Sequence, residues 1–428
     1  LENPIQGGEA DTRADPPTDT RSTVHTLSRR ASFWVAAAVA ALGLWTSAAL
    51  SPSYPLYTAA WGLTAATTTV VYAVFPAALV VVLLLLGDLA DHIGRRKAIV
   101  IGLAFELAGV VVFALARDVW WLYAGRAVSG VGVGLSLSPA TAAMAEFSPP
   151  ALKGRAGSIA TAVTSLAVAA AFLVGGVLIQ YAPLPLHLDY AVLAAVISLA
   201  LVAAWWLPPH TRAETAAPWR PRVSIAVPRA HRRAFAAAAA ALVSAFTFGA
   251  VVLSLGGDIV RELARSDDAF VTGAQLAIFG VVAAIVPLGL GRLSVRAMTT
   301  AGALASLAGA ALLVMTAAVH SAPVFCAAAA VAGAGYSLNF MGGVMIVNQH
   351  APAHHRAGMF SAGYLLGYVA QGLIAVSLGV VATDVGLRTA VDVGAGALAL
   401  VFLTSLLLAT STAAVAPARA RSRTTGTA

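Results

Sequence analysis

Gly102-Leu-Ala-Phe-Glu-Leu-Ala-Gly109 is answered two hundred residues later by Gly302-Ala-Leu-Ala-Ser-Leu-Ala-Gly309. With one more residue of shift, Ser136-Leu137 meets Ser337-Leu338, Met144 meets Met345, and Arg155-Ala-Gly157 meets Arg356-Ala-Gly358. Both copies are apolar. Two similar apolar halves in one chain are the plan of a secondary transporter, whose substrate site lies between them.

Composition agrees. Of 428 residues, 59% are hydrophobic and 10% charged, against roughly 25% charged in a soluble domain. The net charge of +8 would suggest a nucleic-acid partner in a soluble protein. Here the basic residues sit in short connections between apolar runs, so no nucleic-acid partner is expected. Cys326 is the single cysteine, which rules out an internal disulfide and a cysteine metal cluster.

A membrane-crossing helix needs about 20 apolar residues. Such runs lie near 31–52, 66–86, 98–116, 119–143, 156–180, 188–207, 235–255, 269–290, 298–319, 322–347, 357–382 and 387–410. The expected fold is therefore all-α and integral to the membrane: twelve transmembrane helices in two pseudo-repeated six-helix halves. Residues 31–207 form the first half and 235–410 the second. Residues 208–234 read as a cytoplasmic linker, 1–30 as a disordered cytoplasmic tail and 411–428 as a second cytoplasmic tail. Basic clusters follow the even-numbered runs: Arg95, Arg96 and Lys97; Lys153 and Arg155; Arg212 to Arg233; Arg292 and Arg296; Arg356; Arg419 to Arg423. The connection with Asp258, Glu262, Asp267 and Asp268 is acidic. The positive-inside rule then places both termini in the cytoplasm; the expected location is the cell inner (plasma) membrane, as a multi-pass protein.

Between the second and third runs stands Gly87-Asp-Leu-Ala-Asp-His-Ile-Gly-Arg-Arg-Lys97. It resembles the signature loop of the major facilitator superfamily, G-x-L-x-D-R-x-G-R-R, with His92 in place of the usual basic residue. Arg126-Ala-Val-Ser-Gly130-Val-Gly132 resembles the second motif of that superfamily, R-x-x-Q-G-x-G, with Ser129 where glutamine is common. The resemblance covers about residues 31–410 and implies the major facilitator fold and alternating access. It further implies that Asp91 latches the first half to the start of the eleventh run, near Ala357 to Ser361, when the carrier faces outward. Gly87, Asp91, Gly94, Arg95, Arg126 and Gly130 are the gating candidates. Arg95 and Arg96 are expected to hold acidic groups or lipid phosphates.

Glu106 lies nine residues past Lys97, about 13 Å along a helix and close to the midplane of a core about 30 Å thick. A carboxylate there costs roughly 2.5–3.5 kcal/mol on insertion scales unless paired or protonated. Two readings stand open. Glu106 is a proton carrier or a partner of Arg126, or it is a protonated acid bonded to a backbone or hydroxyl group. Glu106 and Arg126 are the proton-coupling candidates. In the second half Arg126 corresponds to about Ala327, and the second-half loop Gly291-Arg-Leu-Ser-Val-Arg296 lacks the aspartate. Arg388 and Asp392 read as a surface i,i+4 pair.

In the superfamily the first, fourth, seventh and tenth helices line the cavity. That resemblance nominates Trp45, Ser129, Ser136, Phe246, Tyr336 and Asn339, with Tyr368 and Gln371 from the eleventh run. Tyr336, Asn339 and Gly343 fall at i, i+3 and i+7, on one helix face. Aromatics with a few amides and hydroxyls suit a small uncharged or amphipathic compound. No nucleotide-binding sequence is present, so no cofactor is expected and a proton gradient is the expected energy source. Lipid, protons and a small-molecule substrate are the expected partners of a monomer. In the fifth run Ala171-Phe-Leu-Val-Gly175-Gly176 keeps only the glycine pair of the G-P-x-x-G-G stretch common in drug–proton antiporters. Export of a small amphipathic compound is the first reading. Uptake by proton symport is the second, and a non-transporting sensor on a carrier fold the third. No enzymatic constellation is visible.

Overall fold

A computed structural model describes residues 26–411, apart from 153, 210–226, 267, 292 and 353–354. The tail over residues 1–25, most of the linker, the tail beyond 411, and Lys153, Asp267, Arg292 and His354 lie outside the described residues.

Twelve helices among the described residues are long and apolar enough to cross a membrane. They are span 1 Arg29–Trp61, span 2 Ala65–Leu86, span 3 Arg95–Ala114, span 4 Val119–Phe147, span 5 Ala156–Tyr181, span 6 Pro185–Trp205, span 7 Arg229–Ser254, span 8 Ala269–Leu290, span 9 Val295–Val319, span 10 Ala322–His350, span 11 Gly358–Val385 and span 12 Leu387–Ala409. No described residue is in a strand. Side-chain oxygens cap the helix starts: Ser28 accepts from the Ala31 amide, Thr64 from Thr67, Asp118 from Trp120, Asp268 from Val271 and Ser294 from Ala297. Each satisfies a donor that has no partner within its own helix. Exposed tryptophans ring both ends, Trp34, Trp205 and Trp206 at one and Trp120 and Trp121 at the other, the position favoured by amphipathic rings at a membrane boundary.

Span 1 runs nine residues past its expected end. Its first segment stops at Ala48, a short 3₁₀ turn covers Ser51–Ser53, and a second helix runs Tyr54–Trp61. Pro52 supplies no backbone N–H to continue the α-helix, which accounts for the break. Gly62 ends the span at φ 64°.

Small residues set the distances between spans. A Cβ on Gly130 would sit 2.6 Å from the Phe75 carbonyl of span 2, and one on Gly132 would sit 2.7 Å from the Gly102 carbonyl of span 3. Gly333 and Gly335 of span 10 meet Phe279 of span 8 and Gly302 of span 9 in the same way. Spans 4 and 10 thus align with a shift of 203 residues, not 201, and Arg126 corresponds to Ala329, not Ala327. Weak identity within alanine-rich helices left the register ambiguous; backbone-to-backbone contacts fix it.

The ends carrying Arg29, Arg95, Arg155, Arg232, Arg296 and Arg356 lie together and form the basic end. The opposite, far end carries Asp118, Asp258, Asp268 and Asp384. The two halves meet along spans 2 and 11 and along spans 5 and 8. Gly379 packs on Thr69 and Ala65, and Gly280 lies against Ser165 and Ala169. The glycine pair of span 5 divides its work. Gly175 makes room for Pro52 of the span 1 break, whereas Gly176 lets Gly273 and Ala269 of span 8 approach across the interface.

Candidate functional site

Spans 1, 2, 4, 7, 10 and 11 line a small central cavity of about 40 Å³, bounded by Gly43, Leu44, Ser47, Phe75, Leu79, Val133, Leu137, Phe246, Gly249, Leu253, Tyr336, Tyr368 and Gln371. Phe246 and Tyr368 pack ring on ring at 4.6 Å, and Tyr336 meets Phe279 at 5.5 Å. The Gln371 amide donates to the Tyr72 hydroxyl across the two halves. No lining residue carries a charge at neutral pH.

Four nominated residues therefore line the cavity: Phe246, Tyr336, Tyr368 and Gln371. Four do not. Ser129 donates to the Gly125 carbonyl of its own helix at 2.6 Å, and Ser136 donates to Glu106. Both lie on the side of span 4 that packs on Gly109 and Gly102 of span 3. Asn339 donates to Ser306 of span 9 at 3.1 Å, and the indole Nε1 of Trp45 is buried without a hydrogen bond among the described residues. Sharing one helical face is too coarse a criterion in a tight bundle. Tyr336 looks into the cavity, Asn339 at span 9 and Gly343 at span 7. Gly43, Phe75 and Val133 escaped the sequence reading because an apolar residue in an apolar helix carries no mark of which neighbour it faces.

Behind the lining sits Arg126, fully buried. One Nη donates to the Ser47 carbonyl at 2.7 Å and the other to the Tyr54 hydroxyl at 2.8 Å. Its guanidinium lies 5.9 Å from the Tyr54 and Tyr72 ring centroids and 5.7 Å from that of Phe75, within the range of cation–π attraction. The Ser47 carbonyl belongs to the last turn of the first helical segment, where the helix breaks and loses its own donors. Arg126 therefore pins the break. Its Nε has no hydrogen-bond partner among the described residues.

Glu106 is not the partner of Arg126. It too is fully buried, and its Oε1 accepts from Ser136 at 2.6 Å. Its Oε2 has no other partner among the described residues than the Thr46 hydroxyl, which faces the same carboxyl. Helix spacing explains the separation. Glu106 faces Gly132 and Ser136, whereas Arg126 lies two turns toward the far end, beside Tyr54. Thr46 and Ser47 are adjacent, so the end of one helical segment touches both groups. A second buried acid, Asp189 of span 6, stands near Gly175, its Oδ2 without a hydrogen bond among the described residues. The sequence reading missed it because it opens an apolar run, a position that looks interfacial.

At the far end the halves are tied. Ser51 donates to the Leu253 carbonyl at 2.5 Å, the Ala66 amide to Thr383 at 2.9 Å, and the Ala269 amide to Gln180 at 2.9 Å. Gly257 packs beside Pro55 and the Ser51 carbonyl. Asp258, outside the spans and beside Tyr54, has its carboxyl pushed up to about 7, first by burial and then by the charge of Glu262, against the pull of Arg261. At the basic end Asp91 is exposed and makes no ion pair among the described residues. Gly94 turns the loop at φ 90°, a left-handed conformation that suits glycine, whereas Gly87 keeps a helical conformation. Arg95 pairs with Glu146, whose carbonyl accepts from Arg29 at 3.0 Å, and Arg96 stacks over Trp205 at 5.6 Å. Arg388 and Asp392 are both exposed, without the expected ion pair among the described residues.

A family profile described as Major Facilitator Superfamily matches residues 33–375. The chain belongs to that superfamily. It is a multi-pass membrane transporter and not an enzyme. A bacterial homolog to the human lysosomal transporter Spinster, solved in an inward-facing and unoccupied conformation, superposes with a TM-score of 0.70 at 13% identity, covering 91% of this chain and 99% of that one. A mutant of the nucleoside transporter NupG gives 0.66 at 14% identity, covering 90% and 99%. At such identities the likeness is one of fold. The arabinose-proton symporter of Bacillus subtilis is 31% identical over 88 residues, 21% of this chain and 19% of that protein. The multidrug resistance protein MdtH of Yersinia enterocolitica is 30% identical over 131 residues, 30% of this chain and 31% of that protein. The matches thus span less than a third of these relatives.

Proposed function

We propose that this transporter exports a small amphipathic organic compound in exchange for protons, by alternating access, from the cytoplasm across the cell inner membrane. In this reading the basic end, where span 1 begins and span 12 ends, is the cytoplasmic end; the ties at the far end and the exposed Asp91 support a state closed to the outside. The observation that carries the reading is the composition of the central cavity. Its walls are glycine, aliphatic and aromatic, and Ser47, Tyr336, Tyr368 and Gln371 are the polar exceptions, with Gln371 already engaged by Tyr72. Such a surface binds an apolar body and orients it by a few hydrogen bonds. A sugar, the cargo named for the Bacillus relative, needs a denser set of amide and charged partners to replace its hydration. The stretch similar to MdtH points the same way.

Glu106 is the proton-carrying group in this reading, and Arg126 holds the span 1 break that must move as the far end opens. The chain works alone, as a monomer within lipid, with no cofactor. The test is an accumulation profile of metabolites and drugs in cells carrying the wild type or Arg126→Ala at matched membrane levels. Export predicts compounds depleted by the wild type, with the difference erased by a protonophore. Enrichment by the wild type would make this an uptake symporter.

A further inference from the structure

The central cavity has neutral walls, yet one ionised side chain stands directly behind them. We infer that the cavity selects amphiphiles bearing a single negative charge, with Arg126 as the residue that sets this preference. The inference rests on the reading of the cavity as the place where the transported compound binds, and it names the class of that compound.

Arg126 touches the lining at two points, the Ser47 carbonyl and the Phe75 ring. A guanidinium has five N–H donors. Among the described residues Arg126 uses two of them, both on neutral oxygens, and its Nε has no acceptor. The acids nearest to the cavity are turned elsewhere. Glu106 faces Ser136 and Thr46, Asp189 lies near Gly175 behind Pro52, and Asp258 stands beyond Tyr54 at the far end. A buried cation without a counter-ion is costly, and its field is weakly screened in surroundings of low dielectric constant. A compound with a carboxylate or sulfonate supplies the missing charge. A cation of the same shape meets repulsion. One guanidinium matches a monoanion better than a doubly charged phosphate, whose second charge would stay unpaired.

Anilinonaphthalenesulfonate and N-phenylnaphthylamine share one aromatic body and differ by the sulfonate. Each is titrated against the full chain in nanodiscs, read by energy transfer from tryptophan, with empty discs subtracted. The wild type should bind the sulfonate about tenfold more tightly. Arg126→Lys should keep most of the preference. Arg126→Gln, checked by thermal unfolding, should bring the two affinities together. If that variant does not fold, the wild-type ratio and its behaviour in Arg126→Lys carry the test. Equal affinities in the wild type, or a preference that survives in Arg126→Gln, would overturn the charge selection and leave the cavity reading standing. Binding of neither dye would remove both.

Discussion

Glu106 against Ser136 in the first half, and Ser306 against Asn339 in the second, occupy the same place in the fold. In both, a polar side chain of the third helix of its half meets one from the fourth beside a glycine, Gly132 or Gly335, whose missing Cβ admits the neighbouring backbone. The carbonyls of Phe75 and Phe279 approach Gly130 and Gly333 in parallel fashion. What differs is charge. The first half places a carboxyl where the second places a hydroxyl, and Arg126 where the second has Ala329. The second half keeps the packing and drops the ionisable groups. The repeat therefore builds the scaffold, and the departures from it carry the chemistry. Both departures converge on the broken end of the first helix, Thr46 and Ser47.

If the scaffold is truly shared, damage to it should not depend on the half. Gly132→Leu and Gly335→Leu should each remove nearly all correctly folded protein, because even a Cβ would stand within 2.5 Å of Glu106 N in one case and 2.8 Å of Ser306 N in the other. Overpacking of this kind costs about 1–3 kcal/mol or more. Size-exclusion of detergent extracts reads the outcome. A monodisperse Gly335→Leu protein beside an aggregated Gly132→Leu protein would break the equivalence.

Chemistry, by contrast, should be one-sided. Arg126→Gln should lower transport by about tenfold or more at matched membrane levels, the size expected when an interaction of about 1.4 kcal/mol or more is lost. Ala329→Ser, its counterpart, should change transport by about twofold at most. Glu106→Gln keeps an acceptor for Ser136 and the shape of the side chain, so the protein should persist while transport loses its dependence on the proton gradient. Ser306→Ala should leave that dependence intact. Flux measured with and without a protonophore separates the two, and proton-driven transport in Glu106→Gln would return Glu106 to a packing role.

The fold was legible early, because twelve apolar runs, their charge alternation and the signature loop all carry it redundantly. The site was legible only in part. Buried ionisable residues such as Glu106 and Arg126 stand out against an apolar background, since each must have a reason to be there. Their partners did not, because pairing depends on helix rotation, and a rotation of one residue takes a side chain to a different neighbour. Ser136 and Asn339 looked like cavity residues for that reason, while nothing in the sequence marked Phe75 and Val133. The span 1 break had a visible sign in Pro52, but its link to Arg126 needed three dimensions.

The smallest expected effect concerns the far-end contact. Asp258 has its carboxyl raised to about 7, with burial as the main cause. The folded state thus holds this proton more tightly than the unfolded chain does. Stability contributed by the protonated form is complete below the ordinary aspartate range near 4, falls as pH rises, and is lost above about 7. Asp258→Asn should therefore raise the unfolding temperature slightly at pH 8 and leave it nearly unchanged at pH 4. An equal change at both values would disconnect the residue from the pH response of the far-end contact.

The most direct test of proton-coupled export through the first half uses everted membrane vesicles with an acidified interior and anilinonaphthalenesulfonate as the reporter. Wild-type vesicles should concentrate the dye, a protonophore should release it, and Glu106→Gln vesicles should fail to concentrate it. Dye leaving the vesicles together with protons, or equal accumulation in the Glu106→Gln vesicles, would contradict the account.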